Sequence, residues 1–400
     1  MNTAVTSGLE SKIKGLAFEM GFDVVGITKP EFLKKGETAI AEWVKKNRHG
    51  KMKYMEDFKK RRDRFFEAFG DAKSIIVLGV NYYSRDTRYE TRDDEQKGSS
   101  PSPQPSPPRG EGRVRGRVAR YAWGKDYHQV IRQRHEELID RLKEFIGPDF
   151  HAQSCIDTQP IPERFAARQA GLGFVGKHTG LLSQKFGPWL FLSEIVTNLD
   201  LEEDMPSTGD CGSCTHCQKI CPTGALDEDY KIDARKCIAY LTIEHKGIIP
   251  RELRPLIKNW IFGCDECLNV CPFTSKSKET GWREFQAESG FGEWLDIERL
   301  FDLDSNSKYE KKFFGTALLR AGRKQMLRNA CIVLGNSGRM EAIPYLARAL
   351  TDRSPLVRLH AAWGLGQIPD SRAHEVLLKT LSFESDSLVR EEINSSLQKF

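Results

Sequence analysis

A chain of 400 residues with 39% hydrophobic and 29% charged side chains has enough apolar material for two or three globular domains, and its net charge of +5 is too mild to define a partner by itself. Apolar stretches such as Ile75-Ile76-Val77-Leu78-Gly79-Val80 are strand-length, which excludes a helical bilayer span there. Residues Met1 to Met20 mix Glu, Lys and Ser with apolar positions at helical spacing, without a signal-peptide core or a twin-arginine pair, so a cytoplasmic location with no membrane attachment is expected.

In chain order, Leu9 to Met20 is amphipathic, and Phe22 to Ile27 and Ser74 to Tyr82 read as short strands. His128 to Ile146 has helical spacing and many charges, and Trp189 to Val196 reads as another strand. This alternation predicts an α/β or α+β domain over residues 1–198. Within it, residues 98–117 are so rich in proline that a disordered surface insertion is expected. Residues 199–306 hold the cysteine-rich segment, Cys211 to Pro272, and a polar connector containing Trp282, Trp294 and Phe301. Residues 307–400 read as a helical repeat. Leu327-Arg328-Asn329-Ala330, Val357-Arg358-Leu359-His360-Ala361 and Val389-Arg390-Glu391-Glu392-Ile393 recur at spacings of 30 and 32, and Pro344 and Pro355 sit where helices would begin. Such a period suits a short HEAT-like solenoid.

Eight of the ten cysteines fall in one stretch, which favours metal or cluster ligation over disulfides. Cys211-x2-Cys214-x2-Cys217-x3-Cys221-Pro222 is a bacterial ferredoxin run, in which three thiolates wrap one iron–sulfur cube and the fourth serves a neighbouring cluster. The neighbour is supplied by Cys264-x2-Cys267-x3-Cys271-Pro272, with Cys237 between the runs. Crossing the fourth cysteine of each run assigns Cys211, Cys214, Cys217 and Cys271 to one four-iron, four-sulfur cluster. The other takes Cys221, Cys237, Cys264 and Cys267. Paired zinc sites are the competing reading, but a triple run ending in x3-Cys-Pro is not a zinc pattern. Cys155 and Cys331 read as buried free thiols.

Clusters carry single electrons, and the roughly two hundred residues that precede them exceed what a carrier needs. The densest candidate site there is Asp157-Thr158-Gln159-Pro160-Ile161-Pro162-Glu163-Arg164, followed by the glycine-rich run Ala170 to Gly180. An acid at a strand end beside such a loop suits a pocket for a large ligand, although a strand-end Asp is more often a turn residue. Lys311, Lys312, Arg320, Arg323, Lys324 and Arg328 occur with no acid between 311 and 330, and the four-residue spacing of Arg320, Lys324 and Arg328 predicts one helix face. That stripe suits phosphate binding, with a solvated basic helix as the ordinary alternative. A second basic cluster, Lys45 to Arg64, contains ten Lys or Arg.

Taken together, Asp157-Thr158-x-Pro160-x-x-Glu163-Arg164, Ala170-Gly171-Leu172-Gly173-Phe174-Val175-Gly176-Lys177, the cysteine run through Pro222-Thr223-Gly224-Ala225-Leu226, Leu241 to Gly247, Ile261 to Asp265 and the repeat tail resemble the epoxyqueuosine reductase family over all but the proline-rich insertion. The resemblance implies reduction of the epoxide of epoxyqueuosine to an alkene at the wobble position of tRNA, the last step of queuosine formation, on tRNAs for Asp, Asn, His and Tyr. It implies two four-iron, four-sulfur clusters, a cobalamin, an external electron donor and a monomer. The fold it implies is α+β: a nitroreductase-like α/β corrinoid domain, a ferredoxin-like two-cluster domain and C-terminal HEAT-like repeats. Asp157 matches the family's catalytic acid, and shielding from water is expected to raise its pKa. Arg62, Leu181 and Leu192 match corrinoid contacts, with Tyr127, Asp157, His178 and Thr179 nearby. His178 stands where Asn is usual, in a family taken to leave the cobalt's lower face free of histidine. Gln159 and Pro162 also depart from the pattern, in the loop that aims Asp157. Lys312, Arg320, Lys324 and Arg328 are the expected tRNA contacts, and single-stranded anticodon recognition calls for an aromatic platform that the sequence does not identify. A corrinoid dehalogenase shares the cofactor logic but carries a twin-arginine signal and no basic repeat tail. A pure electron carrier would not need Asp157 or its domain.

Overall fold

The structure is a computed structural model that describes residues 6–85 and 114–400. The first part contains α1 (Thr6–Glu19), β1 (Val24–Thr28), α2 (Lys34–Lys45), α3 (Lys53–Glu56), α4 (Phe58–Phe69) and β2 (Ser74–Asn81). After residue 114 come β3 (Arg115–Val118), α5 (Tyr127–Ile146), β4 (Ala152–Cys155), α6 (Glu163–Gln169), β5 (Phe174–Val175), β6 (Leu181–Leu182) and β7 (Leu190–Thr197).

An antiparallel sheet in the order β1-β2-β7-β4 organises this region. All eight residues of β2 are buried, because both faces of the sheet are covered. Ile76, Leu78, Phe191 and Ile195 pack on one face with Ile131, Leu138 and Leu142 of α5. Ile75, Val77 and Val196 pack on the other with Ala166 and Ala167 of α6. A strand buried on both faces needs no polar alternation, which is why Ile75 to Val80 reads as an unbroken apolar run.

The cysteine segment carries α7 (His216–Ile220), α8 (Ile238–Ile243), β8 (Trp260–Phe262), α9 (Glu266–Asn269) and β9 (Trp294–Asp296). A second sheet, β8-β3-β9, joins this segment to the first part of the chain. β3 is its central strand, parallel to β8 and antiparallel to β9. The expected insertion therefore ends earlier than residue 117. Residues 98–113 lie outside the described residues, but Val114 and Val118 are buried core side chains in a region fixed by pairing from both sides. The connector is not a polar spacer either. Trp282 packs under the first sheet with Phe285, Leu295 and Phe301 are buried toward the helical tail, and Trp294 is buried beside Arg117.

The tail comprises α10 (Asn306–Phe313), α11 (Arg323–Ser337), α12 (Ile343–Ala349), α13 (Pro355–Leu365), α14 (Ser371–Leu381) and α15 (Ser387–Leu397). Pro355 opens α13 and Pro344 lies in the first turn of α12, where a missing N–H is harmless. The three recurring motifs fall on α11, α13 and α15, which stack in that order. Approach is close enough that a Cβ on Gly335 would lie 2.7 Å from the Cα of Gly364.

Each motif also contributes a buried polar group that grips the cysteine segment. Arg328 donates to the carbonyls of Leu241, His245 and Gly247, and Asn329 to those of Thr242 and Ile261. His360 Nε2 accepts from the N–H of Ile249, and Glu392 pairs with Arg251 and Arg254. The repeat thus has two faces of use, an apolar one for stacking and a polar one for docking.

Candidate functional site

The eight cysteines sit on loops and short helices between residues 211 and 271, with Cys221 and Cys271 each followed by proline and at the edge of a helix or turn. Their thiols fall into two neighbouring groups. Burial pushes the Cys271 thiol up to about 11, and it also feels Cys211, Cys217 and Cys214. Cys264 feels Cys267 and Cys237, and Cys267 feels Cys237 and Cys221. Cys267 additionally feels Cys217, so the two groups adjoin. Among the described residues no three His, Cys, Asp or Glu side chains converge on a single-ion site. Two spread sets of four thiols fit two cubes, whose corners need ligands held apart. The N–H groups of Lys177 and Ala225 point at the sulfurs of Cys211 and Cys221, at 3.4 Å and 3.3 Å, contacts of the kind that tune cluster potentials. Cys155 and Cys331 are buried apart from these groups, in the sheet and in α11.

Asp157 follows β4 and adopts a left-handed conformation, φ 56°. A hydrogen bond from its N–H to Glu163 Oε1, 2.8 Å, fixes the turn to the start of α6. Its Oδ2 accepts from the Tyr127 hydroxyl at 3.0 Å and lies 3.4 Å from His128 Nε2. The Asp126 carboxylate caps α5 and holds the other ring nitrogen of His128 at 2.8 Å. Tyr127 in turn stacks on Phe191 at 4.5 Å, and Phe191 meets Tyr82 at 4.3 Å with the rings tilted by 31°. Tyr82 is buried, so a run of aromatic rings leads from Asp157 into the core of the first sheet.

The expectation of a raised Asp157 pKa does not hold. The hydrogen bond from His128 outweighs partial burial and, with Tyr127, lowers it, while the side chain remains 58% exposed. The proton sits instead on His128. Burial alone would lower the imidazole, but Asp126 and Asp157 raise it to about 9. Two carboxyls behind Asp157 are neutral by contrast. Burial, with the charge of Asp157, pushes Glu163 up to about 8, and burial raises Glu194, whose two oxygens have no hydrogen-bond partner. His128 and Glu194 were not singled out from sequence. An Asp-Tyr-His string opening a helix was the available signal for the first, and a lone Glu inside an apolar strand for the second.

The other expected corrinoid contacts border one region. Leu181 and Leu192 belong to the apolar cluster under α4, alongside Phe65 and Phe66. Arg62 of α4 pairs with Glu37 and Asp63. Arg164 donates to the carbonyl of Thr179 at 3.1 Å and acts electrostatically on Asp157 and His178. His178 is buried, its Nδ1 accepts from the N–H of Gly180, and its Nε2 is a buried group without a partner. His178 Nε2 and Leu182 both lie close to Gly176, and an unsatisfied donor there fits a corrinoid, which is rimmed with carboxamide acceptors.

The expected basic stripe is only partly present. Gly322 breaks the chain between Arg320, which lies in a short 3-10 turn, and α11, so Arg320 shares no helix face with Lys324 and Arg328. Arg328 is 0% exposed and serves the docking described above, which removes it from any nucleic-acid surface. Arg323 is also buried, against Asp352. Lys311, Lys312 and Lys324 are exposed, and Arg320 is exposed while pairing with Glu244.

The sequence matches three known families: epoxyqueuosine reductase QueG, DUF1730, over residues 62–158; the 4Fe-4S double cluster binding domain over 210–274; and HEAT repeats over 312–398. It is 36% identical to an epoxyqueuosine reductase of Xanthomonas campestris, over 89% of this chain and 95% of the relative. A Pseudomonas aeruginosa enzyme of the same name is 37% identical over 89% and 94% of the respective chains. Among solved structures, epoxyqueuosine reductase from Bacillus subtilis superposes with a TM-score of 0.86 at 28% identity, covering 99% of this chain and 100% of that one. Another, of an epoxyqueuosine reductase with a tRNA-Tyr epoxyqueuosine-modified stem loop, gives 0.84 at 28% identity over 98% and 99%. With its double-cluster segment, its HEAT repeats and relatives matched over nearly their full length, the chain belongs to the epoxyqueuosine reductase family.

Proposed function

We propose that this chain reduces epoxyqueuosine to queuosine at the wobble position of tRNAs for Asp, Asn, His and Tyr, in the cytoplasm, with cobalamin and two four-iron, four-sulfur clusters. The observation that supports the reading is one fold that carries two adjoining groups of thiols together with an acid, Asp157, held by Tyr127 and His128. The first region is then the nitroreductase-like corrinoid domain, with Arg62, Tyr127, His178, Thr179, Leu181 and Leu192 around the corrinoid. When bound, these cofactors supply electrons one at a time and a low-valent cobalt able to open the epoxide.

The protein's own residues manage protons and position. Taking an epoxide oxygen off as water consumes two electrons and two protons. The Asp157 carboxyl is the delivering group; its Oδ2 faces His128 Nε2, and the side chain is open to solvent. His128 holds the proton at neutral pH because Asp126 and Asp157 flank it, and transfer through Asp157 follows as negative charge grows on the substrate oxygen. Tyr127 fixes the carboxylate, Arg164 acts on its charge, and Arg61 steadies the loop by donating to the Thr158 carbonyl at 3.1 Å. Anaerobic incubation of cluster-reconstituted protein with cobalamin, a reductant and tRNA containing epoxyqueuosine is expected to yield a nucleoside lighter by one oxygen. Unchanged mass rejects the reading.

A further inference from the structure

The chain leaves α10 through a four-residue turn, Phe313-Phe314-Gly315-Thr316. Phe314 has φ −51° and ψ 135°, Gly315 has φ 72°, and the Thr316 N–H donates to the Phe313 carbonyl at 3.1 Å. These are the angles of a type II turn, whose third position needs the positive φ that glycine adopts without strain. The turn is pinned from three sides. Thr316 Oγ1 donates to the Phe313 carbonyl at 2.8 Å, and the Tyr309 hydroxyl to the Leu318 carbonyl at 2.6 Å. The N–H of Asp126 donates to the Gly315 carbonyl at 2.8 Å.

As a result two adjacent phenylalanines take opposite fates. Phe313 is 0% exposed and Phe314 is 77% exposed. Asp126 is the cap of α5, and the next two residues, Tyr127 and His128, hold Asp157. The open ring is therefore tied by one hydrogen bond to the backbone that builds the acid site. Lys311 and Lys312 precede it, and Arg320, which feels the charge of Asp157, and Lys324 follow it, all exposed. Tyr54 also feels Asp157 and Arg320, but it is 42% exposed and its hydroxyl is turned onto the sulfur of Met52 at 3.2 Å. A water-facing ring on a rigid turn, flanked in the chain by exposed cations and tied to a site that acts on RNA, has the makings of a stacking platform. Bases present an apolar face, phosphates answer the lysines, and a backbone already fixed by its turn leaves only the side chain to order on contact.

We propose that Phe314 stacks on an unpaired nucleobase of the tRNA anticodon loop next to the modified base, an assignment that rests on the tRNA reading above. Affinity of the full-length, cofactor-loaded protein for a labelled anticodon stem loop tests it, by anisotropy and by steady-state turnover. Phe314→Ala is expected to weaken binding and raise KM about tenfold, with kcat at saturating RNA unchanged, and Phe314→Tyr to restore both. The salt dependence of binding stays that of wild type in Phe314→Ala, because no phosphate contact is lost. Scanning an abasic nucleotide through the loop is expected to find one position whose penalty disappears in Phe314→Ala. If Phe314→Ala binds like wild type, or if every abasic penalty adds fully to it, the stacking role is overturned. Self-association that is lost in Phe314→Ala would assign the ring to a second copy and overturn it as well. A wild-type protein that neither binds nor reduces the stem loop overturns the tRNA reading itself, a result distinct from either.

Discussion

The cysteine segment and the start of the helical tail are both dense in one residue type at short spacing, yet the fold treats them oppositely. In the cysteine segment all eight spaced thiols gather into two adjoining groups. In the tail, six basic residues within 18 positions part company: Lys311, Lys312 and Lys324 face water, Arg320 pairs at the surface, and Arg323 and Arg328 are buried. The difference is one of chemistry. A cubane binds only if thiolates meet at fixed separations, so spacing is part of the function. A guanidinium is equally at home on a phosphate or on three backbone carbonyls, so spacing alone does not say which.

Substitutions break this comparison at its strongest point first. Cys271→Ala and Cys214→Ala, made together, are expected to leave about half the iron of wild type, because the crossed assignment puts both on one cluster. Cys221→Ala with Cys214→Ala is expected to lose nearly all of it, and iron analysis showing the reverse order would undo the crossed assignment. Asp157→Asn is expected to retain cobalamin, seen in the visible spectrum, while turnover falls about 10²- to 10⁴-fold; normal turnover would remove the acid role.

In the tail, Arg328→Ala is expected to cost about 3 kcal/mol in urea unfolding, since it orphans the carbonyls of Leu241, His245 and Gly247. Lys324→Ala is expected to leave unfolding unchanged and to reduce the slope of log affinity for tRNA against log salt by about one. Equal stability of the two variants would mean that Arg328 is not a docking residue.

The smallest effect is a pH dependence. The folded His128 pKa, raised from 6.5 to about 9, makes its ion pairs fully stabilising below 6.5 and lost as pH rises through about 9. Turnover is expected to fall above that pH as the proton store empties, and His128→Gln to lack this alkaline limb. A profile identical in wild type and variant would exclude the His128–Asp157 pair as the store.

Much of the site was legible in the sequence. The ferredoxin run, the acid at a strand end and the recurring Leu-Arg-Asn and Val-Arg motifs each carry their chemistry in neighbouring residues. The rest depended on partners far along the chain. β3 looked like the tail of a proline-rich insertion because its pairing strands lie near residues 260 and 295. Trp282 and Phe301 read as connector residues because the cores that bury them are built elsewhere.

The sequence by itself determined the double-cluster segment, the eight candidate cluster thiols, the candidate acid and the helical repeat, because spacing within a run fixes which side chains share a loop or a helix face. Only the tertiary structure decided that Arg328 docks a helix instead of meeting RNA, that His128 holds the proton beside Asp157, and that Phe314 stands open while Phe313 is buried. Burial, ion pairing and exposure are properties of the surroundings, and those surroundings are assembled from residues that local order does not bring together.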